Sequence, residues 1–204
     1  MGTGKIEGKE IGQVKGVTAP SDPFDLATEE YQRIVNTIAD NDLPLEIPNR
    51  HIGHAAILLN KIFSKAQRDV SVLTGSMPEL FFDQIKSTFI AAIKRNVRVR
   101  LITIDDCDAG AALLEATHDY PGRIEVRQVN SPCRREVWTR VGHFAVSDGK
   151  RFRVEGVHGP KDFSRDKEVR AIACFNNPAS AQTLERAFDS LWSDSSPIEA
   201  DCAG

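Results

Sequence analysis

Apolar residues recur at two different periods along the chain, and the switches between them mark its elements. Tyr31, Ile34, Val35 and Ile38 return every three to four positions and predict an amphipathic helix over about 24–40. Ile52, Ala55, Leu59, Ile62 and Phe63 predict a second, over about 49–66, opening after Pro48-Asn49. Asp69-Val70-Ser71-Val72-Leu73-Thr74 is short, β-branched and apolar, which predicts a strand. Ser76 with Glu79 three residues on is a capping box, and Phe82, Ile85, Phe89 and Ile93 carry the helix it starts to about Asn96.

The alternation then repeats. Val97–Asp105 predicts a strand, 109–118 a helix stopped by Tyr120-Pro121-Gly122, and Arg123–Asn130 another strand. Trp138–Ser147 and Arg151–Val157 flank Asp148-Gly149, a hairpin turn signal. Val169–Phe175 predicts a last strand. After Asn176-Asn177-Pro178, the residues Ala181, Leu184, Phe188 and Leu191 stripe a final helix. Helices interleaved with strands plus a hairpin predict an α/β protein with a mixed β-sheet sandwiched between helices. Residues 1–22, rich in Gly, Lys and Glu, are expected to form a flexible arm. Residues 23–67 are expected to form a helical extension, 68–194 the main domain and 195–204 a frayed tail.

Composition narrows the class. A chain of 204 residues suits one domain, and 41% apolar with 27% charged residues is ordinary for a globular protein. No apolar run approaches the ~20 residues of a membrane-spanning helix. Cys107, Cys133, Cys174 and Cys202 are far apart with no C-x-x-C pair, so no zinc cluster, redox motif or cofactor is expected. The polar start and the lone cysteines predict a cytoplasmic protein with reduced thiols.

The segment Val141-Gly142-His143-Phe144-Ala145-Val146-Ser147-Asp148-Gly149-Lys150 resembles the signature region of the phospholipase D superfamily, H-x-K-x-x-x-x-D-G. Glu168 falls where that family has a downstream acidic residue, and the element order over 69–193 matches one of its half-domains. The resemblance implies a phospholipase D-like half-domain carrying two extra N-terminal helices, with His143, Asp148 and Glu168 as catalytic candidates. It also implies a homodimer, because single half-domains of that family build one site from two chains. The motif departs from the pattern, however. With Asp148-Gly149 in register, Val141 stands at the nucleophilic His, His143 at the Lys, and Glu155-Gly156 at the G-S step. A family reaction in which His attacks phosphorus needs that nucleophile, and it needs cations for the charge on the phosphoryl oxygens.

Charge changes the picture locally. The net charge is -3, yet residues 134–170 hold ten basic and six acidic side chains. Along 151–157, Arg151, Arg153 and Glu155 share one face and Phe152 and Val154 the other. With Lys150 they are the candidate binders of a phosphate-containing ligand such as nucleic acid. Lys94, Arg95, Arg98 and Arg100 form a second basic cluster, which a helix C-terminus explains in part. Trp138 and Phe144 suit either base stacking or the core. His51 and His54 lie three apart on one helix without a third ligand nearby.

Three readings follow. The first is a phospholipase D-like module with a degenerate motif that binds a phosphate ligand without catalysis or in regulation. The second is an active phosphodiesterase or nuclease using His143 across a homodimer. The third is a protein-interaction scaffold whose helices 24–40 and 49–66 dock a partner.

Overall fold

The computed structural model describes residues 23–50, 52–75, 79–104, 113, 115, 117–130, 142–156 and 170–198. The elements in chain order are α1 (Pro23–Asp40), β1 (Glu46–Asn49), α2 (Ile52–Lys65), β2 (Asp69–Thr74), α3 (Glu79–Lys94) and β3 (Arg98–Thr103). They continue with β4 (Ile124–Val129), β5 (Phe144–Ser147), β6 (Arg151–Glu155), β7 (Ala171–Cys174), α4 (Pro178–Ser193) and β8 (Ser195–Pro197). The strands form one eight-stranded sheet in the order β1-β7-β6-β5-β2-β3-β4-β8. Within it β2, β3 and β4 run parallel, and every other pairing is antiparallel.

Each face of the sheet is buried by different helices. On one face Val70, Val72, Val99, Leu101, Val126, Ala145 and Ala173 pack with Val35 and Ala39 of α1, Leu58, Ile62 and Phe63 of α2, and Ile85, Phe89 and Ile93 of α3. On the other face Leu73, Ile102, Phe144, Val146 and Phe152 pack against Ala181 and Phe188 of α4. Full burial of a Phe or Leu side chain stabilises by ~1.5–3 kcal/mol, so α1 and α2 are held to this sheet by its own core. They cover a surface of their own chain, and the expected boundary at 67/68 crosses a continuous core and a continuous sheet.

The mixed sheet between helices is the fold class the sequence predicts, and most elements fall where the periodicity puts them. Asp148 and Gly149 both adopt positive φ (52° and 64°) at the centre of a tight turn that the Lys150 N–H closes on the Ser147 carbonyl at 3.1 Å. Asn177 caps α4 by accepting from the Ser180 N–H, with Pro178 in the first turn. Two strands were not predicted. Glu46-Ile47-Pro48-Asn49 is β1, where Pro48 is tolerated because the strand lies at the sheet edge. Ser195-Ser196-Pro197 is β8, paired with β4 at the other edge, so the start of the expected frayed tail is ordered. The expected arm 1–22, the Ser76 cap, Trp138, His51 and most of helix 109–118 lie outside the described residues.

Candidate functional site

A row of polar side chains crosses the sheet at one end, on the face covered by α1, α2 and α3. The register aligns Thr74 with Thr103 and Thr103 with Gln128. It also aligns Glu155 with Ala171 and Ala171 with Asn49. His143 closes the row between them: its carbonyl accepts from the Glu155 N–H at 2.7 Å, and extending the β2–β5 register by one residue sets it beside Thr74. All these residues follow the alternation of the apolar core beneath them, so their side chains share its face. His143 is 7% exposed, Asn49 1% and Thr103 fully buried. Thr74, Thr103, Gln128, Glu155 and Asn49 are at or near the carboxyl ends of their strands, the edge where open α/β sheets place ligands.

The row is braced from two residues deeper along β6. Arg153 Nε donates to Asn49 Oδ1 at 2.7 Å and a terminal nitrogen to Glu155 Oε2 at 2.8 Å. That arginine is 6% exposed, so its charge is satisfied inside the protein. Tyr31 stacks on the His54 ring at 3.6 Å and donates to the Pro48 carbonyl. Burial holds the Tyr31 phenol well above its ordinary pKa, and the Arg153 charge offsets part of that rise. Helices α2 and α3 both start just past the carboxyl ends of β1 and β2, which turns their positive dipole ends toward this edge. Gly142 is required here: a Cβ at that position would collide with the Glu155 backbone oxygen. Its absence lets β5 and β6 close at the row.

Asp148, expected beside His143, is at the opposite end of β5, five residues and about 16 Å away. Its carboxylate accepts from the backbone N–H of Arg68 at 2.9 Å and of Gln67 at 3.1 Å, and from Arg151 at 2.6 Å. Arg151 is 4% exposed and also faces Asp42, which Lys150 reaches at 3.1 Å. Of the seven residues singled out in the sequence, the structure therefore joins His143, Arg153 and Glu155 at one end and Asp148, Lys150 and Arg151 at the other. Glu168 lies outside the described residues. The basic face of β6 has the predicted alternation but points inward.

The other basic cluster is also engaged. Arg95 donates to the Phe63 carbonyl at the end of α2, Arg98 pairs with Glu125, and Arg100 pairs with Asp189. Phe144 packs edge-on against Phe188, in the core. Among the described residues no group of three His, Cys, Asp or Glu is placed to hold a metal.

Around the strand ends from the row opens a cleft of about 570 Å³, lined by Asn49, Arg50, Glu155 and Arg170 and by Pro48, Val154 and Ile172. Arg50 and Arg170 are exposed and take adjacent positions, since Asn49 pairs with Ala171 in an antiparallel register. Asn49, Arg50 and the threonines were not recognised as site residues from sequence. The available signal was that β2, β3 and β4 each place a polar residue at the inward position nearest their carboxyl end.

No protein-family model matches the sequence, and no curated protein does either. Solved structures do match. The phospholipase D family member Nuc from Salmonella typhimurium aligns over 75% of this chain and 98% of its own, at 15% identity and a TM-score of 0.54. The archaeal chromatin protein TrmBL2, whose structure shows a mode of DNA binding, aligns over 86% of this chain and 63% of its own at 10% identity and 0.56. Polyphosphate kinase from Porphyromonas gingivalis aligns over 79% of this chain and 28% of its own at 13% identity and 0.55. The chain has a phospholipase D-like fold.

Proposed function

We propose that this phospholipase D-like domain binds a phosphate-containing ligand, with nucleic acid the favoured class, at the carboxyl end of its sheet. It acts there as a non-catalytic or regulatory module. The observation that carries the reading is the polar row: buried His143, Asn49 and Thr103 stand at one end of the layer beneath α1, α2 and α3, next to a cleft flanked by Arg50 and Arg170. The fully buried Thr103 hydroxyl has no hydrogen-bond partner, a cost that an apolar residue of similar size would not carry, and a ligand-binding role accounts for it. The converging ends of α2 and α3 and the two exposed arginines all favour an anion. TrmBL2, which shares the fold, binds DNA.

The absence of turnover is argued from the motif. With Asp148-Gly149 in register the chain has Val141 at the nucleophile position and His143 at the lysine position. A lone imidazole there can donate to a phosphoryl oxygen, but it supplies neither a second histidine as acid nor a permanent cation. A homodimer belongs to the same reading, since the chain resembles single half-domains that meet in pairs.

Fluorescence anisotropy with labelled DNA at low and moderate salt tests the binding, alongside hydrolysis of a generic phosphodiester without metal. Binding that weakens with salt and with His143→Ala, without turnover, is the expected result. No binding at low salt would refute the reading. Turnover abolished by His143→Ala would replace it with a phosphodiesterase working across a dimer, and sedimentation velocity reads the dimer directly.

A further inference from the structure

We infer that Thr103 and Gln128 form an uncharged anchor for a phosphoryl oxygen, at the β4–β8 end of the polar row and apart from His143. This rests on the reading above and places one phosphate of its ligand.

The row divides into a satisfied half and an unsatisfied one. Toward β1, Asn49 and Glu155 are engaged by Arg153, and Thr74 and His143 have partners of their own. Toward β4, the Thr103 hydroxyl and the Gln128 side-chain nitrogen are buried without a hydrogen-bond partner. The two form one feature, since Thr103 pairs with Gln128 in the parallel register of β3 and β4. Leu101 and Val126, two residues before them, lie in the core with α1, α2 and α3, so both polar side chains share that face. Three strand spacings, about 14 Å, separate Gln128 from His143.

A buried donor left unpaired carries its full desolvation cost. Valine has nearly the shape of threonine and would carry none, so packing alone does not call for the Thr103 hydroxyl.

The unpaired groups define what they would take. Gln128 Nε2 carries two N–H donors, and the Thr103 hydroxyl supplies a third. Such a set needs an acceptor. Helix α3 joins β2 to β3 across this face, so its first turn and positive dipole end lie over the carboxyl ends of these strands. An anionic acceptor is favoured over a neutral one there. On this face β2, β3 and β4 carry no acidic residue to repel it and no basic residue to pair with it.

Access runs along the same register. Gln128 pairs with Ser196 of the edge strand β8, and directly opposed residues share a face. Ser196 is exposed, Gln128 half-buried and Thr103 fully buried, so polar groups lead inward from the sheet edge.

Thr103→Val tests the anchor, because losing the hydroxyl has two effects of opposite sign. The thermal midpoint of the free protein should rise by about 2–4 °C as the unpaired donor is removed. Labelled DNA should bind about tenfold more weakly, the change for one lost hydrogen bond to a charged group. Gln128→Leu should weaken binding in the same direction, and Thr103→Ser should bind nearly as the parent does. None of the three should change the log–log salt slope, since no cation is lost. Inorganic phosphate, against chloride of equal ionic strength, should raise the midpoint of the parent and leave that of Thr103→Val unchanged. Parent-like DNA binding by Thr103→Val and Gln128→Leu overturns the anchor and leaves the ligand reading standing. A lower midpoint for Thr103→Val means that the hydroxyl is satisfied in the free protein, and overturns it as well. So does a phosphate response that is the same in both proteins. No binding of DNA by the parent removes the anchor and the reading together.

Discussion

Asp148→Ala should unfold the protein far more readily without altering its ligand site. The carboxylate is 8% exposed and ties three segments together: the β5–β6 turn it sits in, the chain entering β2 through the Gln67 and Arg68 amides, and Arg151. Truncation leaves the Arg151 guanidinium with Asp42 at 3.6 Å as its remaining ion pair among the described residues. Removing one partner of a buried ion pair costs about 3–5 kcal/mol. Each lost backbone hydrogen bond adds about 1 kcal/mol where water does not replace it. These effects share one carboxylate and do not sum fully, so about 4 kcal/mol is expected. That is a large part of the ~5–15 kcal/mol that holds a domain folded.

Thermal unfolding followed by circular dichroism reads this as a fall of about 8–16 °C, at about 2–4 °C per kcal/mol for a chain of this size. Asp148→Ala with Arg151→Met should recover part of the loss, because the second change removes the stranded charge. Below its unfolding transition the Asp148→Ala variant should bind labelled DNA as the parent does, since the two ends of β5 are about 16 Å apart. A midpoint within about 2 °C of the parent would refute the brace assignment. So would a double variant less stable than the single. A folded Asp148→Ala variant that has lost binding would return Asp148 to the site.

Three further outcomes are expected. Gly142→Ala should cost about 3 kcal/mol or prevent folding, measured by urea denaturation, because its Cβ meets the Glu155 backbone where β5 and β6 are paired. Glu185→Gln should raise the melting temperature slightly at neutral pH. Burial, then Asp69 and Asp189, raise the Glu185 pKa in the folded state, so its contribution to stability is present below the unfolded pKa and lost as pH rises through the folded one. The group is largely solvated, which limits the gain to less than about 0.5 kcal/mol, and the difference from the parent should vanish below about pH 4. Arg95→Ala should cost about 1–2 kcal/mol, read by denaturation, because Arg95 donates to the Phe63 and Ser64 carbonyls at the end of α2.

The helices and central strands were legible because each buries a continuous face of its own, and periodicity records that directly. The short edge strands were not. β1 has four residues with a proline, and β8 has three, two of them serines, so their pairing depends on an edge supplied by β7 and β4. The same distinction governs the site. His143 stood out as a strand histidine ahead of Asp-Gly, but its neighbours in the row come from β1, β2, β3, β4 and β6, up to about a hundred residues away. Asp148 was adjacent in sequence and remote in space, because five residues of strand carry it to the opposite end of the sheet.

Charge shows most clearly where counting along the chain falls short. Alternation correctly placed Arg151, Arg153 and Glu155 on one face of β6, yet could not say whether that face was open. It is closed, because β6 is an interior strand with α2 over it, the countercharges come from Asp42, Asp148 and Glu155, and the Asn49 amide oxygen on β1 accepts from Arg153. An arginine already paired inside the fold releases no counterion when nucleic acid binds, so it adds nothing to the salt dependence. The salt slope therefore reports whether Arg151 and Arg153 meet the ligand. Conservative replacement of Arg151 or Arg153 should lower stability and leave the slope of the folded protein unchanged. The opposite pattern would mean that β6 opens to its ligand.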